Sequence, residues 1–172
     1  MGELRWVGSG LLLVFVDLRF NGVDFATDSV GWVLAAAGLF ALQRWHAGFG
    51  LGGAAAVVGF LAWAGDPWLG VDQGIASTVE TVAQTVIVFA TCTALMVLVP
   101  EKRRSADLIR WWDLGLGLVA LLVGFLFAGE EGGVAVLLVL TLVVPVLVVY
   151  VAFLVLLFRC APFTPEGATA SP

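Results

Sequence analysis

Residues 134–158 read VAVLLVLTLVVPVLVVYVAFLVLLF, an unbroken apolar run without one charged side chain. A helix needs about 20 such residues to cross the ~30 Å hydrocarbon core of a bilayer, and this stretch exceeds that. Whether it spans a membrane or fills the core of a soluble domain depends on what surrounds it. The chain has 172 residues, 61% apolar and 12% charged, with a mean hydropathy of +1.06. A soluble domain is about a quarter charged, and one of this size cannot hide so much apolar surface inside itself. The remainder needs lipid.

Working outward, six apolar segments reach or approach spanning length: 6–22, 26–43, 48–65, 79–99, 113–129 and 134–158. The expected fold is all-α, a polytopic transmembrane bundle of about six spans over residues 1–159. A tail, 160–172, rich in proline and small residues, is expected to be disordered. The N-terminal segment imitates a signal peptide but lacks a small-x-small cleavage site, so it reads as a retained first span. The stretch DPWLGVDQGIAST (66–78) is too polar to cross and reads as a short amphipathic element on the outer surface. PEKRRSADLIRWWD (100–113) reads as an inner loop.

Charge sets the orientation. With the N-terminus cytoplasmic, Arg5, Arg44, Lys102, Arg103, Arg104, Arg110 and Arg159 fall inside, and of the eight basic residues only Arg19 falls outside. This satisfies the positive-inside rule with both termini cytoplasmic in the plasma membrane. Tryptophans agree: Trp6, Trp45, Trp111 and Trp112 mark the inner boundary, and Trp32, Trp63 and Trp68 the outer one. A net charge of −5 without a dense basic face argues against a nucleic-acid partner. The partners expected are the lipid bilayer and a membrane protein or second copy.

Small residues four apart mark helix seams: Gly48, Gly52 and Ala56; Ala120, Gly124 and Ala128; Gly31 with Ala35; Ala37 with Ala41. Pro145 sits mid-span and predicts a kink, read as static shape with a gating hinge as the alternative. His46, the single histidine, reads as a solvated interfacial residue. Cys92 and Cys160 have neither CxxC spacing nor a cysteine–histidine cluster, so no disulfide framework, metal or cofactor is expected.

The most concentrated polarity lies in DLRFNGVDFATDSVGW (17–32). Asn21-Gly22 is a turn signal, so the chain should reverse there and gather Asp17, Arg19, Asp24 and Asp28. Asp28 would meet the positive end of the second helix and could cap it, as could Ser29, while Asp24 would cap the turn. Arg19 would snorkel outward. Asp17 is left without a local role, and a carboxyl partly in lipid needs a named partner; Arg19 and Gln84 are the candidates. On the fourth segment Ser77, Glu80, Gln84 and Thr91 share one helical face. That face reads either as interhelical hydrogen-bond glue or as a hydrated path with Glu80 at its mouth. The candidate polar cluster is Asp17, Arg19, Asn21, Asp24, Asp28, Glu80 and Gln84.

The stretch GLLLVFVDLRFNGVDFATDSVGWVLAAAGL (10–39) is similar to the N-terminal signature of a widespread group of small bacterial multi-pass membrane proteins of unknown function. That signature runs Asp, Gly-x-Asp, Pro-Asp and Gly-aromatic. Asp17, Gly22, Asp24, Asp28, Gly31 and Trp32 match it, and Thr27 stands where the proline is usual. The resemblance implies a bacterial membrane protein and brings no activity or ligand.

No HExxH, GxSxG or P-loop motif is present, nor a glycine-rich carbonyl filter. The leading expectation is a non-enzymatic scaffold or accessory subunit. The alternative is a small proton- or cation-linked transporter or channel using Asp17 and the polar face of the fourth segment. A weaker third is a lipid- or quinone-handling enzyme completed by another chain.

Overall fold

The computed structural model describes residues 2–16, 25–70, 72–126 and 133–162. Among them the chain forms six α-helices: α1 (Glu3–Val16), α2 (Phe25–Leu42), α3 (Ala47–Leu69), α4 (Gln73–Leu98), α5 (Arg103–Leu126) and α6 (Gly133–Cys160). One turn of 3₁₀ helix, Pro100–Lys102, joins α4 to α5. Four segments, in α3, α4, α5 and α6, are long and apolar enough to cross a bilayer. The described part of α1 covers 14 residues, about 21 Å at the helical rise, and the apolar stretch Asp28–Leu42 in α2 is shorter than a full span.

Each helix runs antiparallel to the one before and packs on it, and α6 returns to pack on α1, so the six form a closed ring. The ring is filled from every helix: Leu4, Val7 and Leu11; Trp32, Leu39 and Leu42; Phe49 and Ala56; Ile87 and Leu95; Ile109; Phe153 and Leu157. Because the helices alternate, the start of α1 and the end of α6 lie at the same end. The exposed Arg44–Glu3 pair, 2.9 Å apart, ties the end of α2 to the start of α1 there.

Close backbone approach builds the tightest seam. A Cβ placed on Gly10 would lie 2.6 Å from the Gly31 carbonyl oxygen, and one on Gly31 equally close to that of Gly10. Only glycine permits this contact. Gly31 and Ala35 thus form a seam as expected, with Gly10 and Gly38 as unexpected members. Gly48, Gly52 and Ala56 likewise face inward, Gly48 against the Ala90 carbonyl and Gly52 against Leu39 and Thr91. Ala37 and Ala41 are exposed and seam nothing within the chain. Gly124 has open space at its Cβ position. Ala128 and the tail beyond residue 162 lie outside the described residues.

Three local expectations are corrected. The 66–78 stretch is no surface element: α3 runs on to Leu69, Gly70 terminates it at φ 64°, and Asp72 starts α4 by accepting from Gly74 N (3.0 Å) and Ile75 N (3.2 Å). A left-handed glycine followed by an aspartate cap turns the chain at once. The 100–113 stretch is not a loop, since α5 begins at Arg103. His46 is the N-cap of α3, its Nδ1 accepting from Gly48 N at 2.9 Å. In α6 the helix runs unbroken through Pro145.

Candidate functional site

Asp17, Arg19, Asn21 and Asp24 lie outside the described residues. Asp28 is half-buried in the first turn of α2. There it meets the positive end of the helix dipole. Glu80 and Gln84 are half-buried on α4, while Ser77 is exposed and Thr91 fully buried, so the proposed polar face runs from surface to core. The hydroxyls of Ser77, Thr78 and Thr81 donate to backbone carbonyls of their own helix. Those groups are satisfied locally and glue no second helix.

The interior polarity lies elsewhere, where α4, α5 and α6 meet. Arg110 Nη2 donates to Asp107 Oδ1 at 2.6 Å, and its Nη1 donates to Thr93 Oγ1 at 3.3 Å. Thr93 Oγ1 in turn donates to the Phe89 carbonyl at 2.7 Å. The Arg110 guanidinium lies 5.0 Å from the Phe89 ring centre and 5.3 Å from that of Trp111. Those two rings meet edge to face at 5.9 Å. A planar cation bridging a hydroxyl and two π-faces is a joint that lysine could not reproduce.

One turn further along α5 stands Asp113. It lies within electrostatic reach of Cys92 of α4 and Tyr150 of α6. Its Oδ2 is buried and has no hydrogen-bond partner among the described residues, as is true of Thr91 Oγ1 and Arg110 Nε. Tyr150 Oη donates to the Leu11 carbonyl at 2.7 Å, closing α6 onto α1. The bundle therefore holds a carboxyl oxygen able to take a proton or accept from a further donor. Sequence reasoning placed Arg110 in a loop and Asp113 at its junction with the fifth span, and passed over Tyr150. The available signals were the spacing of Ala106, Ile109, Arg110 and Asp113 along one helical face, and a single tyrosine in the most apolar run of the chain.

Two grooves open on α5. Near its start, one of about 650 Å³ runs beside Arg104, Trp111, Trp112, Gly115 and Val119. The other, about 620 Å³, lies where α4 and α5 part, lined by Gly74, Ser77, Thr81, Ala120, Gly124 and Phe125. No family model, curated protein or solved structure matches the chain.

Proposed function

We propose that this chain is a multi-pass protein of the bacterial plasma membrane, all six helices in the bilayer and both termini cytoplasmic, acting as a non-enzymatic scaffold or accessory subunit. The orientation is supported by the basic residues: Arg5, Arg44, Lys102, Arg103, Arg104, Arg110 and Arg159 all belong to one end of the ring. The scaffold reading rests on α5. Of its apolar stretch only 6% is buried within the bundle, against 44% for α4. The α4–α5 groove has a floor of Ala120 and Gly124, and a Cβ on Gly124 would touch nothing. Small residues on an open helix face let another helix approach closely, which is how membrane helices associate. The occupant proposed is a transmembrane helix of a partner subunit.

A photo-crosslinker at Ala120, compared with one at the exposed Val57 of α3, tests this in native membranes. The groove position should give a protein adduct that Val57 does not, and Gly124→Leu should abolish it. A monomer that crosslinks to lipid alone from both positions refutes the scaffold reading.

The unpartnered Asp113 Oδ2 favours a second reading, proton or cation movement through the bundle, because ionisable groups in membrane interiors mark such pathways. It requires flux in proteoliposomes that Asp113→Asn abolishes. Unchanged flux in the variant removes Asp113 from that role.

A further inference from the structure

Among the described residues, the groove at the start of α5 is lined by that helix alone. Its lining residues Arg104, Leu108, Trp111, Trp112, Gly115 and Val119 recur at spacings of three and four, one continuous stripe. Trp111 and Trp112 are both 55% exposed and form its walls, and a Cβ on Gly115 would meet nothing within 4 Å. From Arg104 to Val119 the stripe is about 22 Å long at the helical rise. Half of a bilayer, headgroups included, is about 20–22 Å thick, so the groove matches one leaflet from phosphate to midplane.

Its polarity is graded along that length. Arg104 is exposed and makes no ion pair with any described residue. Lys102 and Arg103 precede it directly. Asp107 also borders the groove, but its Oδ1 is held at 2.6 Å by Arg110. Beyond the tryptophans the lining is wholly apolar. A free cation at the headgroup end, indole rings at the interface and an open glycine floor below complement a lipid with a negative phosphate and an acyl chain.

We infer that this groove is a binding site for one anionic phospholipid, its headgroup phosphate on Arg104 and an acyl chain lying over Gly115 between the two tryptophans. The site uses a different face of α5 from the α4–α5 groove and does not depend on a protein partner. Each cation held near an anionic lipid surface is worth about fivefold in affinity.

The test uses the full chain in symmetric vesicles, which makes the result independent of insertion orientation. Quenching of tryptophan fluorescence by dibrominated phosphatidylglycerol is compared with that by dibrominated phosphatidylcholine, and the signal of the Trp112→Phe variant isolates the groove. The wild type should prefer phosphatidylglycerol about fivefold or more. Arg104→Gln should lose most of that preference, whereas Arg5→Gln, a cation on α1 at the same end, should keep it. Gly115→Leu should weaken quenching by both lipids. Equal affinities in the wild type, or a preference that survives Arg104→Gln, overturn the site. Displacement of the brominated lipid by millimolar inorganic phosphate would also overturn it, because the groove would then be an anion site and not a lipid site.

Discussion

At the scale of single residues, glycine does two opposite things in this bundle. Gly31 lies backbone to backbone with Gly10, and a Cβ there would also stand 2.7 Å from Val14 Cγ2. Gly115 faces open space. Gly31→Leu must therefore push α1 and α2 apart, costing about 1–3 kcal/mol as overpacking does. Gly115→Ala should leave stability unchanged or raise it by up to about 1 kcal/mol, since alanine is the better helix former. Denaturant unfolding in micelles, followed by circular dichroism, separates the two; equal midpoints would contradict the seam. The sequence pointed to Gly31 with Ala35 and, by the same rule, to Ala37 with Ala41, which are exposed. Spacing says which residues share a face. It does not say which face turns inward, and nothing local distinguishes these pairs.

At the scale of elements, α5 is where reading and structure part most. Its first eleven residues carry three basic and two acidic side chains among apolar ones, and so resemble a connector. Yet Ala106 and Ile109 are buried at helical spacing, and Arg110 follows on the same side. The charges are carried by a helix because the most interior of them is satisfied across it: Arg110 reaches α4 at Thr93 and stacks on Phe89. Arg110→Gln removes the hydroxyl contact and the stacking at a largely buried side chain, 16% exposed. The pair with Asp107 adds little, because that carboxylate is 45% exposed and screened by solvent. The expected loss is about 1–3 kcal/mol, read as a lower unfolding midpoint with a changed near-ultraviolet signal from Trp111. Arg110→Lys should recover less than half of it, because an ammonium cannot span both rings and the hydroxyl. Full recovery by lysine would show that charge alone mattered. The other misread connector, 66–78, hid a helix continuation followed by an abrupt turn. Gly70 and Asp72 are stop and start signals that outweigh the polar composition around them.

At the scale of the whole molecule, the order of apolar segments made an alternating bundle legible, but not its closure. The contact that seals the ring joins Tyr150 to Leu11 across 139 positions, and Phe158 to Gly8. A lone tyrosine and a backbone carbonyl leave no pattern that pairs them in one sequence. The aspartate-rich stretch that drew most attention in the sequence falls largely outside the described residues, whereas the polar groups that do meet inside the ring come from α4, α5 and α6. The alternation nevertheless yields a strict consequence. The α2–α3 turn at Gln43 and the α3–α4 turn at Gln73 belong to opposite ends, and basic residues cluster at the former. Both positions are exposed, while the native thiols of Cys92 and Cys160 are buried, so an introduced cysteine reports its own side. If the cluster of cations stays in the cytoplasm, a membrane-impermeant maleimide on intact cells should label Gln73→Cys. Gln43→Cys should react only after permeabilisation. The reverse pattern would invert the orientation. Labelling of both from outside would mean that α3 does not carry the chain across, since that helix alone separates the two sites.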